Sequence, residues 1–523
     1  MPRRLPPLCV LWLASVWFIA APPAARAQSA LPAAVQQILD APEYRHSHWG
    51  LLVVDLETDE SLHELNADKL FAPASVTKLY SVAAALDTLG STHRFQTPVV
   101  RQGNVDAQGT LQGNLVLLAS GDLTLGGRTL PDGSIAFTAN DHTYANGSEK
   151  GQLTSPDPLA GLDDLARQVA AAGIRRVTGE VLVDDRLFDR ESSTGSGPVR
   201  VSPILVNDNL IDLTITPTQL GRPAAVAVRP ATALLRVDCR LETAPEGTPL
   251  TTILRTTAPH ELVLTGKIPL GHRGVLRVHE MPDSPSFARG LFIEALDRAG
   301  VAVAASPLAG QPDNALSLPR DDYAQLPRVA LLQSPEFRHA ARLCLKVSHN
   351  LHASTLPLLL AAQSGKRTLA EGLGIQHDVL QRLGVEVDTI SFGGGAGGAQ
   401  ADCVTPRATV QLLRAMHRHP AAADYRAALP SLGVDGTLAE VLPPESPAKG
   451  QVQAKTGTYF WENTLNRNYL LTSKALAGYM TTAQKRPLAF ALFVNRAHIA
   501  KASDTAQAGK ALARICEAIY QAH

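Results

Sequence analysis

The chain has 523 residues, of which 48 are Lys or Arg and 48 are Asp or Glu, so its formal charge is zero. That balance excludes the basic footprint of a general nucleic-acid binder. Apolar residues at 45% and charged residues at 18% exclude a disordered or fibrous chain, and the length implies about two to four domains.

The N-terminus differs from the rest. Arg3 and Arg4 precede a mostly apolar run over 5–21, and Ala25 and Ala27 put small residues where a signal peptidase reads them. Residues 1–27 are therefore expected to be a cleaved signal peptide, with the exported chain starting near Gln28 and working in a periplasm. Cys9 lacks the preceding small residues of a lipoprotein signal. No later stretch reaches the ~18 apolar residues of a membrane span, so none is expected after cleavage. Cys239, Cys344, Cys403 and Cys516 form no C-x-x-C pair, which argues against a structural zinc site and leaves their pairing open.

Along the chain, 49–55 reads as a buried strand, and a turn at Thr58, Asp59 and Glu60 leads into a second. Pro73 and Ala74 open a helix in which Leu79, Val82, Ala83 and Leu86 recur on one face, and Gly90 stops it. From about residue 96, short apolar runs at 113–118, 177–184, 213–215 and 225–228 alternate with Gly, Asn, Asp and Pro, the pattern of turn-rich strands, with one helix over 162–172. Helical periodicity returns at 286–296, 335–345, 351–362 and 406–417. Two alternating runs, 476–482 and 488–495, predict adjacent antiparallel strands before a final helix over 502–522. The expected organisation is an α/β (α+β) catalytic domain split into 28–95 and 283–523, with its sheet completed by both ends. A β-rich insertion, expected to form two units, occupies 96–282.

Three short motifs carry chemistry. Ser75 and Lys78 form S-x-x-K at the start of a helix, where i and i+3 share a face and a neutral lysine can take the serine proton. A second copy, Ser446 and Lys449, sits among Pro443, Pro444, Pro447 and Gly450 and reads as loop. Ser348 and Asn350 form S-x-N between two helical stretches; Ser348 suits a proton relay and Asn350 a substrate amide, while His349 between them is expected to face solvent. Lys455, Thr456 and Gly457 form K-T-G on an edge-like strand, where Gly457 would admit a substrate close to the backbone and Lys455 would offer a cation to a carboxylate.

In the order S-x-x-K, S-x-N, K-T-G the triplet is the signature of penicillin-binding proteins and β-lactamases. The long insertion between Ser75 and Ser348 resembles the low-molecular-mass class C penicillin-binding proteins, the D-alanyl-D-alanine carboxypeptidase/endopeptidase family. So do Phe71-Ala-Pro-Ala-Ser75, Gly433-Val-Asp-Gly-Thr-Leu438, Ala454-Lys-Thr-Gly-Thr458, and Ser473-Lys-Ala-Leu-Ala-Gly-Tyr479 through Phe493-Val-Asn495. The resemblance implies a serine transpeptidase fold, an antiparallel sheet flanked by helices. It further implies Ser75 as nucleophile, Lys78 as general base, and Ser348 with Lys455 as a proton shuttle to the leaving D-alanine. Asn350 would hold the peptide, Lys455 with Thr456 and Thr458 would receive the terminal carboxylate, and the N–H groups of Ser75 and Thr458 would form the oxyanion hole. Burial and Lys455 would together lower the pKa of Lys78. Peptidoglycan peptides are the implied partners and β-lactams the implied covalent inhibitors; the chemistry requires no cofactor.

Two stretches depart from the family pattern. Gly394-Gly-Ala-Gly397 stands where an Asp-Gly-Ser-Gly-type loop is common, removing polar side chains from that loop. Tyr459-Phe-Trp-Glu-Asn-Thr-Leu-Asn466 predicts an extended hairpin tip by the cleft. A β-lactamase would need a deacylating glutamate, and the one E-x-x-x-N match after Ser75, Glu462 to Asn466, falls beyond K-T-G. The histidines at 46, 48, 349, 352, 417 and 419 show no metal-ligand pattern and read as surface or core residues. A non-catalytic wall-binding protein on the same fold would have no need for the intact triplet.

Overall fold

The computed structural model describes residues 30–523; the expected signal peptide at 1–27 lies outside them. The catalytic sheet runs in the order Val452–Asn463, Asn468–Thr481, Pro487–Asn495, His48–Asp55, Ser61–Leu65, with each pair antiparallel, and Ala497–Ile499 pairs with Asn468–Thr481. Both ends of the chain thus complete it, as the sequence pattern predicts. Successive side chains of a strand point to opposite faces. Leu51, Val53, Phe490 and Leu492 enter a core beneath the C-terminal helix Thr505–Ala522, while Leu52, Val54, Ala489, Ala491 and Phe493 enter the core of the helical half. A sheet covered on both faces explains why these strands read as continuous apolar runs.

The 3-10 turn Ala74–Val76 runs into the helix Thr77–Leu89, every residue of which is buried from Thr77 to Leu86. An amphipathic stripe on one side does not describe such a helix; it is wrapped by the helices Phe337–Lys346, Asn350–Gln363 and Leu369–Arg382 and plugs the centre of the domain. Gly90 ends it at φ +85°, the left-handed stop that its position predicts. The helix Leu369–Arg382, with Thr368 and Glu371 as a reciprocal cap, is an addition to the predicted elements.

The strand Gln96–Val105 belongs to a second sheet, and that sheet also takes strands from beyond residue 282. Arg328–Gln333 pairs antiparallel with Gln96–Val105, and Ala302–Val303 pairs with Arg176–Val177. The helix Ser284–Arg298, expected to open the second catalytic segment, buries Phe287, Leu291, Phe292 and Leu296 with Leu162, Leu165 and Val183 in the insertion's own core. Two smaller sheets complete the insertion: Arg236–Cys239, Glu242–Ala244, Thr251–Ala258 and Glu261–Pro269 form one, and Leu210–Thr216, Ala225–Arg229 and Val275–Glu280 the other. The apolar run at 177–184 is two strands, Arg176–Val177 and Val181–Asp184, broken around Gly179. There a Cβ would meet the side-chain oxygen of Asn114 at 2.3 Å.

The four cysteines of the described residues are free thiols, Cys344 and Cys516 fully buried. Among the same residues no helix is long and apolar enough to cross a membrane.

Candidate active site

Ser75, Ser348, Asn350, Thr456 and Thr458 line one cavity of ≈ 390 Å³ between the Ser75 turn and the edge strand Val452–Asn463. The three motifs, scattered through the sequence, converge there. The second S-x-x-K does not: Ser446 donates to Glu517 of the C-terminal helix, 2.7 Å away, from a loop.

Lys78 is wholly buried, and its Nζ lies 2.7 Å from Ser75 Oγ, 2.8 Å from Asn350 Oδ1 and 2.8 Å from the carbonyl oxygen of Ala396. The last two oxygens can only accept. A neutral amine satisfies both with its two N–H bonds and keeps its lone pair for the Ser75 hydroxyl proton. Burial, which penalises the charged form, lowers the Lys78 pKa to about 7. The expected second contribution, repulsion from Lys455, acts on Lys455 instead, which burial first and Lys78 second push well below the usual lysine value.

The Gly394-Gly-Ala-Gly397 loop works through its backbone. Ala396 supplies the oxygen that Lys78 binds, and the Gly395 carbonyl accepts from Ser81 Oγ at 2.9 Å. Gly397 is at φ +86°, and a Cβ there would lie 1.9 Å from the Ala74 carbonyl oxygen. Ala74 is itself left-handed, at φ +46°. Asp402 holds the loop by accepting from the N–H groups of Gly393 and Ala399, and burial pushes its carboxyl up to about 6.

Alternation along the edge strand buries Lys455 and Gly457 and leaves Thr456 and Thr458 toward the cleft. Lys455 Nζ donates to Ser348 Oγ and to the Thr456 carbonyl, both at 2.8 Å. Packing also demands Gly457: a Cβ would stand 2.4 Å from the Pro73 carbonyl, so glycine lets the strand lie against the Ser75 turn. Ser348 is held at φ +65°, and its carbonyl accepts from the hydroxyl of Tyr144, a residue of the insertion. His349 is not solvated. It is fully buried, its ring caps the helix Asn350–Gln363, and it faces Asp208 and His352. The positive φ of Ser348 turns the chain so that the residue between the two site side chains points inward.

Sequence reasoning missed Tyr144, Thr437 and Lys474. Thr437 Oγ1 lies 2.8 Å from Thr456 Oγ1, and Lys474 Nζ donates to Thr458 Oγ1 at 2.8 Å. Lys474 lines the cleft, where desolvation lowers it to about 8. Thr437 and Lys474 lie in stretches that carry the family resemblance, but their side-chain partners are visible only in the fold. Tyr144 has no local signal at all.

The model of the D-Ala-D-Ala carboxypeptidase 3 (S13) family matches residues 31–517. The chain belongs to that family. It is a serine-type D,D-peptidase. It is 28% identical over 487 residues to the D-alanyl-D-alanine carboxypeptidase of Actinomadura sp. (strain R39), covering 89% of this chain and 80% of that one. Among solved structures it resembles penicillin binding protein 4 from Haemophilus influenzae, with a TM-score of 0.67 at 18% identity over 91% of this chain and 97% of the other. The same protein complexed with a novel β-lactam matches with a TM-score of 0.65 at 17% identity, covering 93% and 99%. The sequence resemblance and the family agree, and so does the mixed helix-and-sheet fold.

Proposed function

We propose that this D,D-peptidase hydrolyses D-Ala-D-Ala termini or D-alanyl cross-links of peptidoglycan, or both, through an acyl-enzyme on Ser75, in a periplasm. The observation that carries the reading is the Lys78 amine, 2.7 Å from Ser75 Oγ with acceptor-only oxygens on its other two sides. Ser75 Oγ attacks the carbonyl carbon of the penultimate D-alanine as Lys78 takes its proton. The N–H groups of Ser75 and Thr458 hold the oxyanion. Collapse expels the terminal D-alanine, whose nitrogen receives a proton through Ser348 and Lys455; the 2.8 Å contact between them supports that relay. Water then releases the acyl group.

The substrate carboxylate rests on Thr456, Gly457 and Thr458. Lys455 braces Ser348 from beneath, and Lys474 adds a cation within the cleft. Asn350, bound to Lys78 through Oδ1, keeps its amide N–H₂ for the peptide. Penicillin enters the same sequence and stays as the acyl group.

Intact-protein mass spectrometry after benzylpenicillin, beside Ser75→Ala, tests this. The expected result is one lasting adduct on the parent chain, none on the variant, and loss of one alanine from peptides ending in D-Ala-D-Ala. Penicillin hydrolysis without a lasting adduct would instead make the chain a β-lactamase.

A further inference from the structure

A buried polar cluster sits behind the S-x-N turn, where the insertion meets the catalytic domain. Asp208, at φ +54° between Asn207 and Asn209, which are also left-handed, projects a carboxylate from the insertion. Its Oδ2 accepts from Arg128 at 2.7 Å and faces His142 Nε2 at 2.9 Å. Its Oδ1 faces two histidines of the catalytic domain, His352 Nε2 at 2.9 Å and His349 Nε2 at 3.2 Å. The two rings are stacked, with centroids 3.7 Å apart. His349 Nε2 is buried with no hydrogen-bond partner, although it is aimed at the carboxylate. Asp141 and Asp212 join the cluster through Arg128 and His142. Three carboxylates thus share one guanidinium and three imidazole rings in a buried cluster, and the nitrogen of His349 nearest Asp208 is left without a hydrogen bond.

We propose that Asp208, His349 and His352 bind one divalent transition metal of the zinc class, which clamps the insertion to the S-x-N turn. One ligand atom from each residue lies within 4.8 Å of the other two. The separations of Asp208 Oδ1 from the two nitrogens are close to the edge of a tetrahedron with zinc bonds, about 3.3 Å for bonds of about 2.0 Å, and the stacked rings must splay to turn both lone pairs onto one ion. Two imidazoles and a carboxylate suit zinc better than magnesium or calcium. Arg128 and His142 take Oδ2 and so orient Oδ1 toward the metal, as outer-shell partners do. A separate cavity of ≈ 320 Å³, lined by Asp208, His349, Asn350 and Tyr144, offers a path in and room for a water as fourth ligand. Metal on His349 Nε2 moves the ring proton to Nδ1, so the weak 3.3 Å cap contact from the His352 N–H gives way. The ion then replaces that contact in fixing the turn that carries Ser348 and Asn350. It stands outside the reaction path.

The test uses the purified chain after dialysis against a chelator. Zinc titration with metal analysis is expected to give about one equivalent per chain, and Co(II) the visible absorption of a tetrahedral site. Both are lost in His352→Gln and in Asp208→Asn but kept in His377→Gln, whose ring is on an exposed helix face. Zinc also raises the melting temperature of the parent and speeds its acylation by penicillin, and the variants respond to neither. A parent chain that takes up no zinc and shows no Co(II) band overturns the proposal, whether or not the variants fold. Equal zinc in His352→Gln overturns it as well. Metal content is read without any turnover, so it stands apart from the proposed reaction.

Discussion

Gly397 and Ala74 touch where neither segment can yield: a Cβ on Gly397 would stand 1.9 Å from the Ala74 carbonyl oxygen, one residue before Ser75. The glycine-rich loop and the Ser75 turn are therefore shaped against each other. Gly397→Ala must push the turn aside and also strains a backbone at φ +86°. A shift of about 1 Å at reacting atoms costs on the order of 100-fold in rate. Stopped-flow acylation by benzylpenicillin should fall by about that factor, while Gly374→Ala, with open space at its Cβ, leaves the rate unchanged.

The acylation rate should rise with pH and level off above about 7. Lys78 acts as base only when neutral, and burial has brought its pKa to about 7. Below that value each pH unit removes about tenfold of the active form; above it the neutral form dominates. Lys78→Arg, which stays protonated, should lose about 100- to 10,000-fold with no rise between pH 6 and 9. A flat profile for the parent chain would mean that another group takes the serine proton.

Tyr144→Phe removes the hydroxyl that the insertion lends to the Ser348 carbonyl. A neutral hydrogen bond contributes roughly 0.5–1.5 kcal/mol, so kcat/KM should drop by about 2- to 13-fold if the bond matters fully at the transition state. The melting temperature should change little. An unchanged kcat/KM would show that the left-handed Ser348 is held without the insertion.

Arg128→Leu should destabilise the folded chain far more than a surface change. It leaves Asp141 and Asp208 buried without the cation each now binds, at 2.7 Å in both cases. Breaking such a group by removing one partner costs about 3–5 kcal/mol. Thermal unfolding of parent and variant at the same pH reads the difference. Arg167→Leu, whose partner Asp164 is solvent-exposed on a helix, should shift it barely at all.

Local chemistry wrote much of this molecule into its sequence. Apolar runs at 49–55 and 488–495 gave paired strands, Leu79, Val82, Ala83 and Leu86 gave the buried helix, and three short motifs gave the site. These signals survive in one dimension because they depend on the backbone geometry of neighbouring residues. Where tertiary partners decide, the sequence was silent or misleading. The helix at 284–298 shows an apolar face without showing which core will take it, and pairing of Arg328–Gln333 with the distant Gln96–Val105 assigns it to the insertion. His349 looked exposed because the φ of Ser348 and the approach of Asp208 are invisible along the chain. Lys78 is the clearest division. Its place beside Ser75 follows from helical spacing, but its lowered pKa comes from burial and its orientation from Asn350 and Ala396. Spacing is set by covalent neighbours, whereas desolvation is set by whatever the folded chain packs around a group.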